Sequence, residues 1–245
     1  MKKYPSLFIL VLFVFCLFSF DANKKQKKIL VFSRTTGFYH KSIPAGVAAL
    51  QKIGLDNSLT VDTTTDANFF NDKQLQQYAA VVFMSTTGNV LNDEQQVAFQ
   101  KYIQNGGGFV GVHAATDTEY DWPWYNKLVG AYFKSHPKQQ EAVLNVLDKS
   151  HISTMHLPKE WKRFDEWYNF KSIQTDLHVL ITIDEKSYTG GINGDFHPMA
   201  WWHDFDGGRA FYTEFGHTDE SFVDPLFVQH LTGGIAYAIN KNKIN

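Results

Sequence analysis

A histidine and an aspartate four residues apart stand at the end of a short apolar run, where His113 and Asp117 follow residues 109–112. A neutral imidazole acts as a general base or as a metal ligand. Two such side chains alone do not make a metal site, and a buried histidine that only hydrogen-bonds its own loop is the structural alternative. We predict that His113 and Asp117 are catalytic, with Asp117 orienting the imidazole of His113.

Two further groups of polar residues follow apolar runs nearer the N-terminus. Arg34 and His40 follow the apolar run at residues 28–33, and Thr86 follows the run at residues 78–84. If these runs are parallel strands, the residues after them lie along one edge of a sheet and share a crevice with His113. We predict that Arg34, His40 and Thr86 bind substrate, with metal binding as the alternative for His40.

Adjacent carboxylates at Asp165 and Glu166 lie in a segment rich in aromatic residues. Neighbouring residues of a strand point to opposite faces, so at most one of the two enters a pocket. We choose Glu166 as a second catalytic acid or base.

Histidines recur in the C-terminal part of the chain. We predict that His203, Glu214 and His217 bind substrate. His203 and His217, together with His197, also suggest a metal site, but their spacings match no zinc signature. We therefore predict no specific metal ligand and no cofactor from the sequence, and binding of a divalent metal ion is the alternative.

Aromatic residues make up 16% of the chain, and all six tryptophans follow residue 120. Core packing accounts for part of this excess. Trp122 and Trp202 lie among acids and histidines, which suits a sugar site, because an aromatic ring packs on the apolar face of a pyranose while polar groups bond its hydroxyls. We predict a small-molecule carbohydrate as ligand, with Trp122 and Trp202 in contact with it.

Strands and helices that would position these residues alternate along the chain. Apolar runs typical of buried strands are residues 28–33, 78–84 and 109–112, and the alternation of Leu59, Val61 and Thr63 predicts a further strand at residues 59–64. Helical segments separate them, one beginning at a capping box of Asn92 and Gln95, and residues 124–133 are predicted as a further helix. This order predicts an α/β fold with a mostly parallel, doubly wound sheet, and residues 199–213 add a C-terminal β-hairpin.

Composition restricts the class of protein. A chain of 245 residues with 44% hydrophobic content can bury the core of one α/β domain, which we place at residues 28–240. The net charge of −2 provides no basic surface for nucleic acid. The sequence does not predict an oligomeric state.

The N-terminus has the pattern of a secretory signal. Lys2 and Lys3 precede an apolar run over residues 7–20, shorter than the roughly 20 residues of a spanning helix. We predict a signal peptide at residues 1–22 and export to the periplasm or the exterior, without membrane contact after cleavage; an uncleaved anchor is the alternative. Cys16, the only cysteine, lies in this segment, so a cleaved chain has no thiol for catalysis, disulfides or metal binding.

Four ordered motifs resemble the ThuA-like (trehalose utilisation) family. They are GFYHKSI at residues 37–43, GGFVGVH at 107–113, FDEWY at 164–168, and HPMAWW with GRAFYT within 197–217. The resemblance covers residues 28–240 and implies a flavodoxin-like fold related to class I glutamine amidotransferases. In those enzymes the turn after the corresponding strand carries a cysteine nucleophile. Here His113 stands in its place, and an imidazole cannot replace a thiolate in that chemistry, so amidotransferase activity is not expected.

The resemblance also implies a role in carbohydrate metabolism. We expect an exported enzyme that hydrolyses or isomerises a glycoside or a 3-keto-sugar; the alternative is a non-catalytic sugar-binding module on the same fold. The enzymatic hypothesis requires His113 to lie close to Glu166 or His217.

Overall fold

The computed structural model describes residues 26–240, and in this range the chain forms eleven strands and five helices. The strands are β1 (Lys28–Phe32), β2 (Thr60–Thr64), β3 (Ala80–Met84), β4 (Gly108–Val112), β5 (Tyr132–Ser135), β6 (Gln140–Val146), β7 (Glu160–Asp165), β8 (Asn169–Lys171), β9 (His178–Ile183), β10 (His197–Phe205) and β11 (Gly208–Thr213). The helices are α1 (Ile43–Asp56), α2 (Asp72–Leu75), α3 (Asp93–Gln104), α4 (Pro123–Val129) and α5 (Pro225–Ala238). The predicted signal peptide, with Cys16, lies outside the described residues.

Nine of these strands form one mixed sheet with the order β2-β1-β3-β4-β11-β10-β9-β6-β7. The first five are parallel, in the 2-1-3-4-5 order of flavodoxin-like folds. β11 then pairs antiparallel with β10, and β9, β6 and β7 continue the antiparallel part. The predicted α/β class, the parallel doubly wound region and the C-terminal hairpin are confirmed.

Helices cover both faces of the parallel region, as two successive residues of β3 show. The ring of Phe83 stacks on Phe99 of α3 at 5.4 Å and on Tyr125 of α4 at 5.6 Å. Met84 points to the opposite face, where α1 packs so closely that a Cβ on Gly46 would lie 2.5 Å from the Met84 side chain. Strands covered on both faces must be apolar throughout, which explains the continuous apolar runs in the sequence.

The segment that leads into β4 is shaped by a helix start and a close backbone contact. Asn92 and Gln95 form the predicted capping box at the start of α3, with bonds of 2.9 and 3.0 Å. After α3, a Cβ on Gly108 would lie 2.4 Å from the carbonyl oxygen of Ala238 at the end of α5. Gly108, the first residue of β4, therefore allows the strand to begin close to the end of α5.

The predicted helix over residues 124–133 is shorter in the structure. Gly130 adopts a left-handed conformation with φ of 94° and ends α4 at Val129, and β5 begins at Tyr132. None of the helices within residues 26–240 is long and apolar enough to cross a membrane.

Candidate metal centre

The turn after β4 aims the imidazole of His113 at the carboxyl edge of the parallel strands. His113 has φ of 47°, a left-handed conformation that is uncommon for residues other than glycine. A short 3-10 turn, His113–Asp117, follows directly. The Tyr212 hydroxyl donates a 2.7 Å hydrogen bond to the carbonyl oxygen of His113 and holds the turn in place. A strand, a strained turn and a helical segment in this order resemble the nucleophile elbow of hydrolases.

The orientation of this imidazole is set by a backbone carbonyl group. His113 Nδ1 lies 2.7 Å from the carbonyl oxygen of Glu214. Because a carbonyl only accepts, Nδ1 carries the proton and the lone pair is on Nε2. Asp117 does not orient His113 as we expected, because its carboxylate instead accepts a 2.6 Å hydrogen bond from the Tyr120 hydroxyl.

Side chains from three other segments, His40, Glu166 and His217, converge on the imidazole of His113. His217 Nδ1 lies 3.1 Å from His113 Nε2 and 2.9 Å from Glu166 Oε2. His113 Nε2 and Glu166 Oε2 are 3.7 Å apart. With His40, each residue offers one ligand atom, and these atoms all lie within 4.8 Å of one another. Ligand atoms of tetrahedral Zn²⁺, with bonds of roughly 2.0–2.1 Å, are about 3.3 Å apart, so the spacing suits a shared metal ion.

His40 contributes a neutral, incompletely bonded imidazole. Its ring lies edge-on to those of His113 and His217, with centroids 4.8 and 5.2 Å away. Its Nδ1 is buried and has no hydrogen-bond partner among the described residues. Burial lowers the pKa of His40 to about 3, with smaller contributions from His113 and His217, so a lone pair is available at neutral pH.

Glu166 supplies the negative charge of the cluster. Burial on its own would raise the pKa of Glu166, but the neighbouring imidazoles of His113 and His217, the latter with Nδ1 2.9 Å from Oε2, outweigh it and lower the pKa well below its usual value. His136 Nδ1 lies 3.0 Å from the other oxygen, Oε1. Three imidazoles and one carboxylate are a donor set that suits Zn²⁺.

The cluster opens into a cavity of about 350 Å³. Its lining residues are Phe38, His40, Asp117, Phe133, His136, Glu166, Tyr168 and His217. Burial raises the pKa of Asp117, so this carboxyl group holds its proton more strongly than an exposed aspartate. Larger cavities of about 390, 460 and 650 Å³ lie elsewhere on the described residues, but none of the four cluster residues lines them. Among these cavities of the described residues, the one of about 350 Å³ is therefore the one that adjoins the candidate metal ligands.

Several residues predicted to bind substrate do not line this cavity. They are Glu214, Arg34, Thr86, Trp122, Trp202 and His203. Strand pairing gives the reason for the last two: they pair with Phe211 and Ala210 inside β11, whereas His217 follows the carboxyl end of that strand. The antiparallel hairpin thus carries Trp202 and His203 away from the site edge.

Two of these side chains have other partners. The Thr86 hydroxyl is buried 2.8 Å from that of Thr118. His203 Nε2 lies 3.0 Å from the carbonyl oxygen of Leu128.

The three histidines that suggested a metal site in the sequence, His197, His203 and His217, do not lie together in the structure. His197 bonds Glu185 at 2.8 Å and the Tyr168 carbonyl at 2.8 Å, away from His217. Glu214 lies directly behind the cluster, fully buried, where its carboxyl accepts the Tyr168 backbone N–H at 3.0 Å. Burial raises the pKa of Glu214 well above its usual value.

Sequence reasoning missed four residues that line the cavity: Phe38, Phe133, His136 and Tyr168. Tyr168 stands two residues from Glu166, the spacing that puts side chains on one face of an extended chain. No comparable pattern identifies His136, since it reaches Glu166 only through the fold.

Among protein-family models, the one described as ThuA, trehalose utilisation, matches residues 28–238 of this chain. The chain belongs to the ThuA family. This confirms the resemblance that the sequence motifs indicated. No curated protein sequence matches the chain significantly.

Solved structures share the fold of this ThuA chain. A ThuA-like protein from Bacteroides uniformis superposes with a TM-score of 0.75 at 24% identity, covering 98% of this chain and 97% of that one. A ThuA-like protein from Parabacteroides merdae gives 0.73 at 24% identity, covering 89% and 91%. A β-galactosidase from Bacillus circulans gives 0.56 at 11% identity, covering 86% of this chain but 30% of that one. At these identities the likeness is one of fold.

Proposed function

We propose that this ThuA protein is an exported, metal-dependent enzyme that hydrolyses or isomerises a glycoside or a 3-keto-sugar. The observation that carries the proposal is the convergence of His40, His113, Glu166 and His217, of which three line one cavity while His113 is fully buried beside them. Their ligand atoms have metal-like spacing, one imidazole nitrogen has no protein partner among the described residues, and the carboxylate is ionised. The signal-like N-terminus supports export.

The residues around the cluster fit a metal-assisted reaction. A divalent metal held by these side chains would supply Lewis-acid polarisation of a substrate oxygen, provided that one coordination position is left to the substrate. His136 Nδ1 lies 3.0 Å from Glu166 Oε1 and 2.9 Å from the Pro137 carbonyl oxygen, so its imidazole borders the carboxylate on the side away from the cluster. Asp117 lines the same cavity, and its raised pKa suits a group that donates or accepts a proton during the reaction.

The cavity walls support a carbohydrate as substrate. Phe38, Phe133 and Tyr168 present aromatic surface, while the floor is formed by imidazoles and carboxyl groups. A sugar ring matches this division, because its C–H face packs on aromatic rings and its hydroxyls bond polar groups. The volume of about 350 Å³ suits a small ligand, and the family description refers to trehalose utilisation.

The test is a substrate screen with controlled metal content. Purified protein is stripped with a chelator, reloaded with Zn²⁺, and incubated with trehalose, other disaccharides and their 3-keto forms. We expect turnover that requires Zn²⁺ and is lost in His113→Ala. Sugar binding without turnover would instead indicate a non-catalytic module. Turnover that survives stripping and is unchanged by Zn²⁺ would contradict the metal-dependent mechanism.

A further inference from the structure

One buried carboxylate joins the two segments that carry Glu166 and His217. Asp165 is fully buried at the end of β7. Its Oδ1 accepts the backbone N–H of Glu166 at 3.0 Å and that of His217 at 3.2 Å. Two cluster residues that are far apart in sequence are therefore bonded through their backbones to a single oxygen atom.

The second oxygen of Asp165 fixes the loop around His217. Oδ2 accepts hydrogen bonds from the Gly216 backbone N–H at 3.2 Å and the Ser221 hydroxyl at 2.9 Å, and Arg163 Nη2 lies 3.2 Å away. Gly216 has φ of 117°, so the loop turns sharply immediately before His217. Because Oδ2 holds this turn while Oδ1 holds the next residue, the backbone at His217 has little freedom to move relative to Glu166.

We propose that Asp165 is a positioning residue for the metal centre, which sets the 2.9 Å separation between Glu166 Oε2 and His217 Nδ1. This inference rests on the metal-dependent function proposed above. A residue that orients metal ligands without binding the metal itself is worth about tenfold to hundredfold in metal affinity. Asp165 acts on two of the four ligands at once, and it touches neither the cavity nor a ligand atom.

An asparagine cannot replace this carboxylate. Both oxygens of Asp165 face only donors: two backbone N–H groups on one side, and an N–H, a hydroxyl and a guanidinium on the other. In Asp165→Asn, either orientation of the amide directs an NH₂ group at N–H donors. The segment that faces the NH₂ group then moves, and the spacing of the ligand atoms changes with it.

Asp224 offers a matched control. It is the other carboxylate bonded to Arg163, at 2.6 Å, and it contacts the backbone of neither Glu166 nor His217. Asp224→Asn removes a charge from the same network and keeps an acceptor for the Leu226 N–H at the start of α5. A loss of stability that arises only from the Arg163 network appears in both variants, whereas a loss of ligand positioning appears only in Asp165→Asn.

The experiment measures Zn²⁺ affinity by competition with a chromophoric chelator, the melting temperature without metal, and the absorption spectrum of the Co²⁺-loaded protein. For Asp165→Asn we expect Zn²⁺ affinity to fall about tenfold to hundredfold and the Co²⁺ bands to shift. Asp224→Asn should retain wild-type affinity and the wild-type Co²⁺ spectrum, whatever its melting temperature. If Asp165→Asn does not fold, Ser221→Ala removes one donor from Oδ2 and should give a smaller loss of affinity.

The outcomes separate the two proposals. Wild-type affinity and Co²⁺ spectrum in Asp165→Asn, or in Ser221→Ala when that variant replaces it, would overturn the positioning role and leave the metal centre standing. Equal losses of affinity in Asp165→Asn and Asp224→Asn would show a purely structural role and also overturn it. Absence of Zn²⁺ binding in the wild-type protein would overturn the metal centre, and this inference with it.

Discussion

Replacement of His217 by alanine tests the metal centre most directly. The His217 side chain is 17% exposed and lines the cavity. We therefore expect its truncation to leave the packing of the core unchanged. Zinc sites of four ligands have apparent binding free energies of about 10–16 kcal/mol, or about 2.5–4 kcal/mol for each ligand. At about 1.4 kcal/mol for each factor of ten, the dissociation constant should rise roughly hundredfold or more.

The assay is thermal unfolding with and without Zn²⁺. At a free Zn²⁺ concentration about 100 times the wild-type dissociation constant, binding stabilises the folded protein by about 2.7 kcal/mol. For a chain of this size, that raises the melting temperature by about 5–11 °C. In His217→Ala the same Zn²⁺ concentration then only equals the dissociation constant, which leaves about 0.4 kcal/mol and a rise of about 1–2 °C.

A second histidine variant controls for adventitious zinc binding. His178 is exposed on β9 and stacks on Trp202, outside the cavity. His178→Ala should keep the full Zn²⁺-dependent shift. A wild-type shift in His217→Ala would refute the assignment of His217 as a ligand.

Three further predictions concern the pocket wall, a buried histidine and a helix cap. Phe38→Ala should raise KM for the sugar about twofold to tenfold with little change in kcat, because an aromatic contact contributes about 0.5–1.5 kcal/mol. The control is Tyr39→Ala, at an exposed neighbouring residue that does not line the cavity. This variant should leave KM and kcat unchanged. Burial lowers the pKa of His230 to about 3. The stability that neutral His230 contributes is therefore complete above pH 6.5 and is lost as the pH falls towards 3, with a loss of about 2 kcal/mol between pH 7 and pH 5. In His230→Gln, the free energy of unfolding measured in urea should lack this part of the pH dependence. Asn92→Ala should lower the free energy of unfolding by about 1 kcal/mol through loss of the α3 capping box, with unchanged Zn²⁺ affinity in a competition titration.

The parallel half of the fold was predictable because its signals are local. Strands buried on both faces must be continuously apolar, and the capping box of Asn92 and Gln95 marks the start of α3 within four residues of sequence. The error at residues 124–133 has a local cause as well: Gly130 ends the helix because it takes a positive φ, and its apolar neighbours conceal that stop.

The site was only partly predictable, because strand order and hairpin register decide which side chains meet. His113, Glu166 and His217 have chemically informative types, but Trp202 and His203 were equally attractive in sequence. Antiparallel pairing of β10 with β11 carries these two away from the site edge. His136 reaches Glu166 across the fold and gives no signal in the sequence.

The sequence by itself determined the ThuA family, the α/β fold, the absence of a cysteine from residues 17–245 and the placement of a histidine at the turn after β4. These properties depend on residue types and on spacings within single elements. Only the tertiary structure showed that His40, Glu166 and His217 surround His113, that the Glu214 carbonyl sets its tautomer, and that Asp165 holds two of the ligand segments. Contacts between residues far apart in the chain depend on the topology of the sheet, and no local pattern encodes them.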